Sequence, residues 1–171
     1  MSGLLHALLG SDHDRLDRLL ANSLRGDGTI DDASWSEFRC GLLRHIGIEE
    51  RVLFPELRRL GGSTDVEEQL HRDHAVLAAL LVPPPAAAEI RQIRAILLEH
   101  NPLEEDAGGF YDRMEALAEG EIDALVERAR AYPQVPTAPY TDTPFLRRTI
   151  DQLLRQAEEG RRLLGRPRQR S

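Results

Sequence analysis

The sequence has a single cysteine, Cys40, and no excess of basic residues. One cysteine excludes an internal disulfide framework and fits a reducing compartment. A net charge of −7 excludes a general nucleic-acid-binding surface, although the end from Arg161 to Arg170 is locally basic. No run approaches the ~20 apolar residues that a membrane span needs. Residues Met1 to Gly10 are mildly apolar, but they lack the basic lead and long apolar core of a signal peptide. A cytoplasmic location is therefore expected. There is also no Gly-rich phosphate loop, no β alternation and no repeat at solenoid spacing. What remains is a chain of 171 residues, 41% apolar and 30% charged, sized for one domain with a hydrophobic core.

Helical periodicity dominates that chain. Leu5, Leu8, Leu9, Leu16, Leu19 and Leu20 form one stripe over residues 3–24, with His13 inside it. Asp12, Asp14, Asp17 and Arg18 fall on the other face. A second helix begins near Ser34, where Ser34 and Glu37 have capping-box spacing and Asp31 and Asp32 suit the positive end of the dipole. Its inward residues are Trp35, Phe38, Leu42, His45, Glu49 and Val52 or Leu53, and Pro55 marks a kink or an end. Thr64 and Glu67 announce a third helix with Val66, Leu70, His74, Leu77 and Leu81 inward. The fourth carries Ile90, Ile93, Leu97, His100 and Glu104, and Pro102 predicts a bend just after His100. Residues 110–132 continue this helix or form a separate one.

The organisation expected is a helical bundle over residues 1–132, a Pro-rich linker over 133–144, an amphipathic helix over 145–165 and a disordered basic tail over 166–171. The last helix either folds back on the bundle or packs against a partner, a second copy included.

Two pairs carry the chemistry. His45 with Glu49, and His100 with Glu104, are each four residues apart, so each pair shares one helix face. His13 and His74 lie on the inward stripes of the other two helices. A lone inward histidine is commonly hydrogen-bonded core, and a His–Glu pair can be a solvated surface pair; the apolar surroundings and the set of six argue otherwise. Buried ionisable groups cost several kcal/mol each unless paired or metal-bound. Imidazole with carboxylate favours iron, manganese or zinc over calcium or magnesium. Two octahedral ions need about twelve positions. Four histidines fill four, two bridging glutamates fill four, and an oxo or hydroxo bridge fills two. About two stay open for a small ligand, or about one if His71 also binds. His71 is assigned to the surroundings of the site, with coordination left open. His6 is ~10 Å from His13 along its helix, too far to share the same metals. Glu50 and Glu105 fall one residue past the candidate ligands and are expected to point outward, with Glu105 in place of Glu104 as the alternative. Tyr111 and Cys40 are read as packing residues.

The pieces Asp12-His13-Asp14-Arg15-Leu16, His45-Ile-Gly-Ile-Glu49-Glu50-Arg-Val-Leu-Phe-Pro55, Asp73-His74-Ala-Val-Leu77 and His100-Asn-Pro-Leu-Glu104-Glu105 resemble the hemerythrin-like (HHE cation-binding) family. The resemblance spans residues 3–118. It implies an all-α, up-down four-helix bundle, here with an additional C-terminal helix, around a non-haem di-iron centre. Carried over residue by residue, His13, His45, His74 and His100 are terminal ligands, and Glu49 and Glu104 bridge. Zinc or manganese are disfavoured. The oxygen-carrying members have two histidines four apart on the third helix and an Asp bridge from the fourth. Here His71 and His74 are three apart and the fourth-helix carboxylate is a Glu, which disfavours pure oxygen transport. The expected activity is binding or reducing O2, H2O2 or NO, a small diatomic or peroxide ligand, without nucleic acid or membrane. Iron or redox sensing without turnover, oxygen storage and a structural zinc bundle are the alternatives.

Overall fold

A computed structural model describes residues 3–62 and 65–165. Thr64 of the expected third-helix cap and the tail 166–171 lie outside the described residues. The architecture is an up-down bundle of four long helical segments with an additional C-terminal helix. The first segment is α1 (Leu4–Ser23). The second is α2 (Asp32–Ile48), which runs through a π turn (Glu49–Leu53) into α3 (Phe54–Arg59). The third and fourth are α4 (Asp65–Leu80) and α5 (Ala87–Glu105). Two short helices follow, α6 (Phe110–Leu117) and α7 (Ile122–Arg130), and then α8 (Pro144–Leu164). Among the described residues there is no helix long and apolar enough to cross a membrane.

Each long helix buries one stripe. On α1 the buried set is Leu5, Leu9, His13, Leu16 and Leu20, a step of three or four residues throughout. The α2 cap is Asp31, whose side chain accepts from the Ser34 N–H at 2.9 Å, so the helix opens earlier than the Ser34 start expected from sequence. Pro55 neither ends the second segment nor leaves it α-helical. The Phe54 N–H reaches back five residues to the Glu49 carbonyl, and Pro55, which has no N–H, opens α3 directly after this wide turn. Pro102 lies inside α5, and the helix continues as α through it to Glu105.

The apolar core comes in two parts. One surrounds Leu5, Leu9, Leu53, Phe54, Leu70, Phe110 and Met114. The other surrounds Leu16, Leu20, Trp35, Phe38, Val76, Leu77 and Ile93. His13 sits between Leu9 and Leu16, and His74 between Leu70 and Val76, so a polar layer divides the bundle crosswise. Helix α6 is a separate element. Gly108, with φ of 77°, turns the chain after α5 and sends Phe110 and Tyr111 back into the first core.

Residues 132–143 carry no helix. Several contacts hold this stretch to the bundle, beginning with the Arg44 guanidinium, which donates to the Tyr132 carbonyl at 2.9 Å. The Thr141 N–H bonds the Val82 carbonyl at 3.1 Å, and the Arg39 guanidinium lies 4.5 Å over the Tyr140 ring. Thr143 then caps α8 and Pro144 fills its first turn, where a missing N–H costs nothing. Helix α8 folds back along α4, burying Ile150, Ala157 and Gly160.

Candidate metal centre

The polar layer consists of His13, His45, Glu49, His74, His100 and Glu104, all buried, and each comes from an inward stripe of a long helix. The His45–Glu49 and His100–Glu104 pairs face inward together, with Nε2–Oε1 distances of 3.5 and 3.1 Å. The α geometry through Pro102 keeps His100 and Glu104 on one face. His74 Nε2 lies 3.1 Å from Glu49 Oε2 and 3.8 Å from Glu104 Oε1. His13 Nε2 lies 3.3 Å from Glu104 Oε2 and 2.8 Å from His45 Nε2.

Two groups of these residues could hold a cation. One is Glu49, His74, His100 and Glu104; the other is His13, His45 and Glu104. Within each, one ligand atom per residue lies within 4.8 Å of the others, and Glu104 belongs to both. Glu49 also faces both, since its Oε1 is the oxygen near His45 and its Oε2 the one near His74. The fit to a cation is visible in the polar atoms left over. Glu49 Oε2, Glu104 Oε1 and His74 Nε2 are buried without a hydrogen bond of acceptable geometry, lying only at ion-pair distance from one another and from His100. Native interiors satisfy such atoms, and a cation would satisfy these.

The other ring nitrogens form a closed pattern. Asp12 on α1 accepts from His45 Nδ1 on α2 at 2.9 Å. Glu50 on the π turn accepts from His74 Nδ1 on α4 at 2.8 Å. Asp73 on α4 faces His100 Nδ1 on α5 at 3.3 Å, and Glu105 on α5 bonds His13 Nδ1 back on α1. Every candidate histidine thus has a carboxylate from a neighbouring helix behind it. Such partners fix the ring orientation and tautomer, so that Nε2 points at the centre. This corrects the outward placement expected for Asp12, Glu50 and Glu105. A residue one step from a ligand does point aside on its own helix, but that direction faces the next helix, whose histidine presents Nδ1 there. Glu49 and Glu50 both meet His74, and the wide π turn is where they do so.

Electrostatics follow from the crowding. Burial works against charge on His45, yet Glu49, Asp12 and Glu104 outweigh it and raise its pKa to about 10. His100 is likewise opposed by burial and raised to about 8 by Glu104 and Asp73. Burial and Glu104 push the Glu49 carboxyl up, but His45 and His74 bring it down to about 2. Without metal the layer is therefore an imidazolium–carboxylate network. Cations entering the layer would displace imidazolium protons, because metal and proton compete for the same nitrogens.

Tyr111 is the residue that sequence reasoning placed in the packing. It is fully buried, its hydroxyl donates to Glu49 Oε1 at 2.7 Å, and Glu104 Oε2 lies 3.3 Å away. Burial together with Glu104 and Glu49 raises its pKa well above the usual phenol range, so the hydroxyl keeps its proton. His71 is outside the layer. Its side chain is 66% exposed and its Nδ1 bonds Glu50 at 2.9 Å, so the reading in which it adds a seventh ligand does not match where it sits. His6 stands near Tyr111, with ring centroids 6.1 Å apart, and belongs to neither cation group.

Fold and site together define a class: helical bundles whose interior presents paired imidazole and carboxylate groups to cations. Residues 4–107 match the hemerythrin HHE cation binding domain, and the chain belongs to that family. No curated protein and no solved structure matches the chain. The matched stretch contains all six candidate ligands and their four carboxylate partners. It leaves out α6, α7 and α8, and with them Tyr111 and Arg161.

Proposed function

We propose that the six buried residues hold two iron ions and that the protein binds or reduces a small oxidant, O2, H2O2 or NO. The observation that carries this is the pair of adjoining cation groups sharing Glu104, with Glu49 facing both. Four histidines and two carboxylates suit iron and leave positions open. Bound iron would supply Lewis acidity and electrons to the oxidant.

The chain's own residues do the rest. Glu49 and Glu104 would be shared between the cations, and Asp12, Glu50, Asp73 and Glu105 hold the imidazoles in place. Tyr111 keeps a protonated hydroxyl on Glu49 Oε1, a donor inside the buried layer. A cavity of about 20 Å³ reaches the layer beside His13, His45 and His100, walled by Leu16, Leu42, Leu77 and Leu97. That volume holds about one water molecule, which suits diatomics and peroxide.

The test is consumption of H2O2 and of NO by iron-loaded protein, compared with equal free iron. Turnover above free iron supports the proposal; rates equal to it for every oxidant would leave sensing without turnover as the reading. The sensing reading has its own support in the way α8 reaches the site.

A further inference from the structure

Asp73 divides its two oxygens between the candidate centre and the C-terminal helix. It is fully buried. Its Oδ2 faces His100 Nδ1 at 3.3 Å, while its Oδ1 accepts from Arg161 at 2.5 Å and from Gln69 Nε2 at 2.9 Å. Arg161 is carried by α8, beyond the family-matched residues. Its Nε also reaches Glu99 at 2.7 Å, so one guanidinium spans a buried carboxylate on α4 and a surface carboxylate on α5. A planar fork with several donors can do this; a lysine ammonium is a single point of charge.

The helix is brought close enough by small residues and by a second polar tie. Gln69 Nε2 donates to the Ala157 carbonyl at 3.0 Å. A Cβ at Gly160 would meet the side-chain ends of Gln69 and Arg72 and push them aside, so glycine here lets α8 lie along α4 without disturbing Gln69. Two of the other carboxylates behind the histidines have further partners within the bundle, Arg15 at 2.8 Å for Asp12 and His71 for Glu50. Asp73 differs in that its counter-charge comes from the appended helix.

We propose that Arg161 is a positioning residue for the metal centre, acting through Asp73 on His100, and that docking of α8 and loading of metal are thereby coupled. This rests on the metal-binding reading above. A buried carboxylate that loses this guanidinium is left with a desolvation penalty, and its side chain reorients toward other donors. That reorientation removes the acceptor that aims His100 at the centre. Linkage then requires the reverse effect: metal held by His100 favours the docked helix by the same factor.

The experiment uses the full chain and ferrous iron under anaerobic conditions, with affinity read by competition against a chromogenic chelator. Arg161→Ala weakens iron binding about tenfold or more, the usual scale for removing a group behind a metal ligand. Arg161→Lys restores part of it. Glu99→Ala, which cuts the surface half of the same fork, stays near wild type. In parallel, iron slows proteolytic cleavage within residues 132–143 of the wild-type chain, and this protection disappears in Arg161→Ala. Equal affinity in Arg161→Ala and wild type, or wild-type cleavage indifferent to iron, overturns the coupling. A wild-type chain that binds no iron overturns the coupling and the proposed function together, whereas iron bound indifferently to Arg161 overturns the coupling alone. Should Arg161→Ala fail to fold, the wild-type cleavage comparison decides.

Discussion

The Tyr111 hydroxyl donates to Glu49 Oε1 at 2.7 Å, joining a residue outside the family-matched stretch to a carboxylate at the heart of it. Tyr111→Phe keeps the ring, which packs against Phe110 and His13, and removes only the donor. Hydrogen bonds to charged groups contribute about 1.5–3 kcal/mol. The metal-free variant is expected to lose stability of that order in chemical denaturation, while still binding metal. Loss of all metal would instead make the hydroxyl essential to the ligand set.

Glu49→Ala and Glu104→Ala are each expected to lose metal, because each removes a carboxylate facing both cation groups. His6→Ala and His71→Ala should retain wild-type metal content, His71 being exposed and bonded to Glu50. Elemental analysis of the purified variants decides this. Unchanged metal in Glu104→Ala would move the fourth-helix ligand to Glu105 or remove the fourth-helix carboxylate from the ligand set.

Stability of the metal-free protein should depend on pH in a direction set by the network. His45 and His100 have raised pKa values, about 10 and about 8, so their contribution is complete below their ordinary 6.5 and is lost as pH rises through 8 and then 10. Glu49 is lowered from 4.5 to about 2, so its contribution is complete above 4.5 and is lost as pH falls toward 2. Denaturation midpoints of metal-free protein should therefore peak between pH 4.5 and 6.5 and fall on the alkaline side. Metal uptake near pH 7 should release protons, seen with an indicator dye in weak buffer, and should weaken as pH falls. A flat midpoint from pH 5 to 10 would mean that these imidazoles do not carry the charge assigned to them.

Removing metal should lower thermal stability. A ligand that binds only the folded chain stabilises it by about 2.7 kcal/mol at a free concentration one hundred times its Kd. Calorimetry with and without a chelator tests this; coincident melting curves would mean that the buried layer binds nothing.

Much of the bundle was legible because an inward stripe at helical spacing is a one-helix property, and the stripes through His13, His45, His74 and His100 run unbroken. The inward placement of the six candidate ligands was legible for the same reason. What was not legible depends on neighbouring helices. Asp12, Glu50 and Glu105 read as outward on a single helix, and each meets a histidine of the next one. The π turn left no separate trace, since Pro55 reads equally as a kink or an end. Tyr111 was hidden because its reach depends on how sharply Gly108 turns the chain, which composition does not specify. Arg161 sits on an amphipathic helix that could have docked on this bundle or on another molecule, and only the docked position brings it to Asp73.

The proposed centre is a pair of iron ions held by His13, His45, Glu49, His74, His100 and Glu104. Metal analysis with optical spectra, on protein from iron-supplied cells before and after exposure to oxygen, tests it most directly. Two irons per chain with an oxo-to-iron charge-transfer band is the predicted result. Stoichiometric zinc with no such band would contradict it.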